Sequence, residues 1–383
     1  MTERLQFHSL DMLRGIAAVS VALYHAGWVH AATRLDMLPH TVLMVDLFFV
    51  LSGFVISYNY EQRLRTTSGA AEFIKRRFWR VWPLHMVMLA VFIGIEVLRF
   101  AYEATQGVTL APPAFSRQYF ESVLANTFLV QALGPFADHA RINAVSWSIS
   151  VEFYTYLLFA VLCLTGRLRG VLLLAAAVGS AWILLNMHGQ LTGRAPIFGL
   201  YRSVCSFAIG YFAYQGFVLL RHRAGQVDRR LWFLAGCGIL GATVFWGFET
   251  FGDTRAELAI PLVYGIAILC LAFGERPGDF GQPVFRPMLW LGQVSYSIYM
   301  VHLAINWFFV QTLRVILDWD RVPVDGMQDK FYGGFLMGNL VLVLYLAAVC
   351  WISHLSFRHI ENRFRIRGTK PLAKDRYVNR GHA

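Results

Sequence analysis

Ten apolar runs, most close to twenty residues long, follow one another along this 383-residue chain. They fall at roughly 10–31, 41–60, 82–104, 144–164, 171–187, 199–220, 231–248, 257–274, 288–316 and 334–357. About 20 helical residues cross the ~30 Å hydrocarbon core of a bilayer, and a backbone in lipid must satisfy its own hydrogen bonds. The pattern predicts an all-α fold, a polytopic membrane helix bundle of about ten transmembrane helices. Composition agrees. Hydrophobic residues make up 57% of the chain and charged residues 15%, where a soluble domain carries about a quarter. The cysteines Cys163, Cys205, Cys237, Cys270 and Cys350 fall in predicted helices without paired spacing. They read as small apolar residues, and no metal site is expected.

The net charge of +11 is unevenly placed. If the N-terminus is cytoplasmic and the runs alternate, the cytoplasmic segments hold most of the Lys and Arg, including Lys75, Arg76, Arg77, Arg80, Arg221, Arg223, Arg229, Arg230 and the basic C-terminus. The opposite side holds only Arg34, Arg117, Arg141, Arg194, Arg255, Arg321 and Lys330. This asymmetry places both termini in the cytoplasm. It also accounts for the basic composition, so no nucleic-acid partner is expected. One membrane domain, 1–360, is followed by a basic cytoplasmic tail, 361–383, suited to anionic lipid. Arg14 and His25 inside the first run argue against a cleaved leader, as does the series of further spans.

Ionisable groups inside membrane helices are costly and usually line cavities or pathways. Arg14 and His25 are eleven residues apart, about three helical turns, so they share one face roughly 16 Å apart along the axis. By their distance from the helix ends, His25, Asp46, Glu152 and His302 fall in one layer of the outer half. Packed together they supply a base and carboxylates to orient it. Each also has a plainer reading, as a packing histidine, an arginine's partner or a residue bound to a neighbouring hydroxyl. The short connection between the first two helices favours Asp46 as the partner of His25, while Glu152 has the polar context of Trp147 and Ser148.

The segment Lys75-Arg76-Arg77-Phe-Trp79-Arg80-Val-Trp-Pro83 is expected to be a cytoplasmic loop entering the third helix, with Pro83 in its first turn. Guanidinium groups bind phosphate oxygens bidentately; a topology signal is the plainer reading. Ser52 and Gly53 put a hydroxyl and a bare backbone in mid-helix two, where a neighbouring helix or a ligand chain can approach closely. Tyr299 and His302 share a polar stretch of the ninth run.

At these residues the chain resembles the membrane acyltransferase-3 family, the bacterial O-acyltransferases that modify surface polysaccharides, peptidoglycan, nodulation factors and some antibiotics. The resemblance covers about residues 8–360. It rests on the spacing of Arg14 and His25, the Phe-Phe-x-x-Ser-Gly run of Phe48 to Gly53, and the Arg-Arg-x-x-Arg-x-x-Pro run of Arg76 to Pro83. Trp147-Ser148 with Glu152 and the stretch from Ser295 to His302 add to it. One departure is Trp82, where the family more often has a smaller residue before its proline. The chain is similar to the stand-alone members, without a periplasmic esterase-like domain.

The resemblance implies transfer of an acyl group, usually acetyl, from cytoplasmic acyl-CoA to a hydroxyl of a glycan or glycolipid at a bacterial inner membrane. It implies that His25 is essential, as base or transient acyl carrier, with Arg14 as its partner, and it links Arg76, Arg77 and Arg80 to the donor. Asp46 and Glu152 join the expected catalytic group. Ser52 and Gly53 are expected along the donor chain, and Trp147, Ser148, Tyr299 and His302 near the substrates. On physics alone a proton-coupled secondary transporter is the rival. It lacks visible inverted repeats and leaves the arginine cluster unexplained. Acceptor identity and oligomeric state are not legible.

Overall fold

The computed structural model describes residues 6–110, 112–116, 118–139, 142–188, 195–251 and 255–367. Arg117, Arg141 and Arg194 of the charge asymmetry and the tail beyond residue 367 lie outside them. The described chain is almost entirely helical: α1 (His8–His25), α2 (Met44–Tyr60), α3 (Thr67–Gln106), α4 (Tyr119–Thr127), α5 (Trp147–Leu164), α6 (Arg169–Ile183), α7 (Ala195–Ala224), α8 (Arg229–Ala242), α9 (Phe248–Phe251), α10 (Ile260–Gly274), α11 (Arg286–Gln311), α12 (Phe335–Ser356) and α13 (Asn362–Arg367). A small hairpin, β1 (Asp320–Val322) and β2 (Lys330–Tyr332), pairs Arg321 with Phe331 between α11 and α12.

Among the described residues nine helices are long and apolar enough to cross a membrane. The protein is therefore an all-α polytopic membrane bundle. α1 is outside that set, being 18 residues long with Asp11, Arg14 and His25 in its sequence. It is nevertheless a core helix, with Leu10, Ala17, Ala18 and Ala22 fully buried.

In lipid, helices associate through close packing of small residues, and two glycine pairs set the bundle. At Gly15 a side chain's Cβ would lie 2.8 Å from the backbone of Gly292, and at Gly292 it would lie 2.2 Å from Asp11 O. α1 and α11 thus touch backbone to backbone. The helices run parallel, because ten residues beyond each glycine His25 meets His302. Gly53 and Gly210 do the same for α2 and α7, where added Cβ atoms would lie 2.0 Å from Phe207 O and Val50 O. Gly53 is therefore filled by a helix, not left open for a ligand chain.

The α2–α7 contact also holds a buried ion pair. Arg202 donates to both oxygens of Asp46 through Nε (2.9 and 3.0 Å) and through Nη2 (2.5 Å), and Nη2 also reaches Val42 O. Ser206 adds a hydroxyl to Asp46 at 3.1 Å. Every site on that carboxylate faces α7, so Asp46 is an arginine's partner and not the partner of His25.

The expected basic loop is helix. Thr66 caps α3 by accepting from Gly69 N at 3.1 Å, and the strong helix formers of Ala70-Ala-Glu-Phe-Ile-Lys-Arg-Arg carry it forward. It runs 40 residues to Gly107, with Pro83 in its interior. At the C-terminal end of α3, Glu103 accepts from Leu110 N (2.8 Å) and Ala114 N (3.1 Å), and Arg99 donates to Pro112 O at 2.6 Å. At the basic end Glu275 caps α1, accepting from His8 N at 2.5 Å and Ser9 N at 3.1 Å. There α12 continues through a π-helical turn, Phe357–Glu361, into α13, where Phe364 stacks on Trp79 with centroids 5.8 Å apart.

Two predictions follow from these contacts. Gly292→Ala puts a methyl into the backbone of α1 and is expected to destabilise by about 1–3 kcal/mol, as overpacking does; thermal unfolding in detergent reads it. Arg202→Met alone strands a buried carboxylate and is expected to cost about 3–5 kcal/mol, whereas the Asp46→Leu/Arg202→Met double variant regains most of that loss.

Candidate active site

Helical phase decides which arginines of α3 matter. Arg77 and Arg80 are three residues apart and share a face. Both line a narrow cavity of about 90 Å³ between α1, α2, α3, α5 and α11, together with Arg14, Ser52, Ser148, Glu152, Tyr156, Tyr296 and Tyr299. Arg76, one residue before Arg77, points elsewhere and pairs with Glu72 one turn back at 2.8 Å. Of the three arginines expected at the donor, two line the cavity.

Charge is unbalanced there. Arg14, Arg77 and Arg80 line the wall with one carboxylate, Glu152. Arg14 binds Asp11 at 2.7 Å. Arg77 has aromatic faces around it, with Tyr60, Phe73 and Tyr156 centroids 5.1, 5.5 and 5.6 Å from its guanidinium carbon. Its buried Nε has no hydrogen-bond partner among the described residues. No described carboxylate lies within ion-pair distance of Arg77 or Arg80. Glu361, the last residue of the π-helical turn after α12, acts on Arg80 through its charge and takes its own hydrogen bond from Ser297 at 3.2 Å. Buried cations without counterions are costly, so this wall is suited to an anion.

Glu152 is already engaged. Ser52 Oγ and Tyr156 OH each donate to Glu152 Oε1 at 2.5 Å. Across the cavity Ser148 Oγ donates to Tyr299 OH at 2.8 Å. Tyr299 leads on, its ring 6.0 Å from that of His302. Trp147 is not on the cavity wall; it packs on Phe49 and lies 5.4 Å from the Arg202 guanidinium.

His302 takes the place at His25 that a carboxylate was expected to fill. His302 Nε2 lies 3.3 Å from His25 Nδ1. The hydrogens can be placed by elimination. His25 Nδ1 is 2.8 Å from Val21 O, and His302 Nδ1 is 3.1 Å from Ile298 O. A carbonyl only accepts, so both Nδ1 atoms carry hydrogen. His302 Nε2 is then a lone pair that shares the His25 Nδ1 hydrogen. His25 Nε2 is left as a lone pair with no hydrogen-bond partner among the described residues. The expected contact from His25 to Asp46 or Glu152 is not made, because those carboxylates are bound to Arg202 and to Ser52 with Tyr156.

Several site residues escaped the sequence reading. Tyr156 looks like an ordinary aromatic in an apolar run, and Glu361 sits in what reads as a tail. Arg202 gave a signal, a lone charge in the sixth run. Lys330 gave none. Its ammonium, on the outer hairpin, donates to Ala26 O at 2.5 Å and Tyr24 O at 3.2 Å. Burial pushes it down to about 8, so its charge is lost as pH rises through that value.

Comparison with known proteins gives the chemistry. The Acyl_transf_3 model, an acyltransferase domain, matches residues 7–358. The "Putative membrane-bound transacylase BcsY" of Komagataeibacter xylinus is 20% identical over 347 residues, 90% of this chain and 80% of that protein. The "Putative peptidoglycan O-acetyltransferase YrhL" of Bacillus subtilis is 22% identical, over 99% of this chain and 59% of its own length. "O-acetyltransferase OatA" of Staphylococcus aureus is 22% identical, over 95% of this chain and 58% of its own length. This chain thus spans less than two thirds of those last two proteins. No solved structure matches significantly. With a family match over nearly its whole length and a bundle of membrane-crossing helices, the chain belongs to the acyltransferase-3 family and is a multi-pass membrane acyltransferase.

Proposed function

We propose that this protein is an O-acetyltransferase that carries an acetyl group from cytoplasmic acetyl-CoA to a hydroxyl of a glycan or lipid-linked glycan on the opposite face. The observation that carries this reading is the succession of polar groups through the bundle: guanidinium groups outside ion-pair contact at Arg77 and Arg80, then Tyr299, His302 and the free lone pair of His25 Nε2. Relatives named as O-acetyltransferases, one of peptidoglycan, support both the acetyl group and a glycan acceptor.

Arg77 and Arg80 hold the donor's phosphates toward the basic end, and Arg14 adds a third positive charge to the cavity. At about 90 Å³ the cavity excludes the nucleotide of coenzyme A, and only the acyl end of its slender arm would enter it. The acceptor oxygen attacks the thioester carbonyl while its proton passes to His25 Nε2. The carbon–sulfur bond breaks, and the thiolate takes up the proton that His25 holds. A transient acetyl on Nε2 begins from the same lone pair. Val21 O fixes the tautomer of His25, and His302 helps to hold the direction of its ring. Glu152 holds Ser52 and Tyr156 along the donor chain, and Asp46 serves the α2–α7 contact.

The direct test is mass spectrometry of envelope and secreted glycans from cells with and without the gene. Loss of one acetyl mass from a glycan is expected; unchanged glycans together with no binding of acetyl-CoA to the purified protein would defeat the reading. Proteoliposomes that move solute and transfer no acetyl group would favour the transporter.

His25→Gln is expected to lower acetyl transfer by about 10²–10⁴, the range for loss of a general base, with the protein still inserted and monodisperse. Wild-type turnover in that variant excludes the role of Nε2. Arg77→Gln/Arg80→Gln is expected to weaken acetyl-CoA binding by about tenfold or more, with Arg76→Gln close to wild type. Equal effects of all three would leave the arginines a topology signal.

A further inference from the structure

The outer hairpin grips the turn that follows His25. Phe331 N donates to Gly27 O, and Val29 N to Phe331 O, both at 2.9 Å. Trp28 and Phe331 form a parallel bridge. Lys330 completes the grip from its side chain, bonded to Tyr24 O and Ala26 O, the carbonyls on either side of His25. The residue is only 5% exposed, and no described carboxylate lies within ion-pair distance of it.

Helix ends leave carbonyls without intrahelical partners, and a cation there is favoured by the helix dipole. That explains how Lys330 is accommodated, but not why a charge is used. A buried ammonium without a counterion is expensive, and an apolar side chain of similar volume avoids the expense. The backbone bonds of Phe331 hold the hairpin to residues 27–29 without any help from the lysine. What Lys330 adds is its bonds to the two carbonyls flanking the histidine, together with a charge that is felt at the His25 and His30 rings.

We propose that Lys330 is a positioning residue for acyl transfer: by fixing the Tyr24 and Ala26 carbonyls it locks the last turn of α1 and so the direction of His25 Nε2. The proposal rests on His25 acting as base in the reading above. It also states how the outer surface takes part in the chemistry: the hairpin between α11 and α12 sets the geometry of a histidine on α1. An acceptor hydroxyl must meet Nε2 in line, and misplacement by about 1 Å costs on the order of 10²-fold in rate.

The test uses full-length protein in detergent, as wild type, Lys330→Met, Lys330→Arg and Lys330→Ala. Lys330→Met is expected to lower kcat by about tenfold or more while KM for acetyl-CoA stays within about twofold, a loss confined to the chemical step. Its melting temperature is expected to stay within about 5 °C of wild type, since a buried ammonium is removed along with its bonds. Lys330→Arg keeps a cation and is expected to retain more activity than Lys330→Met. Lys330→Ala is expected to regain rate with propylamine and not with propanol.

A second readout is independent of activity. The rate at which diethylpyrocarbonate modifies His25, followed by peptide mass, is expected to change in Lys330→Met relative to wild type. Unchanged kcat in Lys330→Met overturns the proposal. So does a loss in every variant with no amine rescue and unchanged His25 modification, which marks a structural clamp only. If wild-type protein transfers no acetyl group, the acyl-transfer reading has failed; a changed modification rate then still upholds the lock on His25, and an unchanged one removes it.

Discussion

Gly15 and Gly292 bring α1 and α11 into backbone contact, and the site is built outward from that crossing. Because the helices run parallel, equal distances along each deliver His25 and His302 to one another. The same stretch of α11 supplies Tyr296 and Tyr299 to the cavity wall and Ser297 to Glu361. A helix pair held by side-chain interdigitation alone would stand several ångströms farther apart, too far for two imidazoles to share a hydrogen. Small residues at a membrane interface are commonly explained by packing. Here packing also places a second imidazole against His25.

Buried charges in the bundle fall into two kinds. Asp46–Arg202 and Glu61–Arg169 are ion pairs in direct contact, with nitrogen–oxygen distances of 2.5 and 2.6 Å. They tie α2 to α7 and to the start of α6. Arg77 and Arg80 are open. Their surroundings are aromatic rings, a carboxylate already bonded to two hydroxyls, and Glu361 acting from a distance. Paired charges are satisfied within the scaffold, whereas open cations are suited to an anion. The contrast separates scaffold from site more sharply than residue type does, since both groups contain arginine and acid in an apolar setting.

The span pattern and the shared face of Arg14 and His25 were legible because they depend on helical period and bilayer thickness alone. The partner of His25 was not. Nearness in sequence favoured Asp46 on the next helix, but the contact comes from α11, 277 residues away. Arg76 was misplaced because charge and Pro83 made a helix resemble a loop; once α3 is helical, phase separates Arg76 from Arg77 and Arg80. Gly53 and Trp147 carry family-like sequence, yet they serve the α2–α7 contact and its neighbourhood. Lys330 was invisible for a different reason. A lysine in a short outer loop looks solvated until a hairpin folds it under the end of α1.

α3 has a further consequence. Its 40 residues extend about 60 Å, roughly twice the hydrocarbon thickness. One end carries Arg77 and Arg80; the other, through Arg99 and Glu103, holds the following loop at Leu110, Pro112 and Ala114. Pro83 lies between them and removes one hydrogen bond from the helix interior, giving the rod a compliant joint. A swing of about 5° at that joint would carry the C-terminal end, ~35 Å away, through about 3 Å. A helix of this length, with its proline beside the cavity, would act as a lever between its two ends.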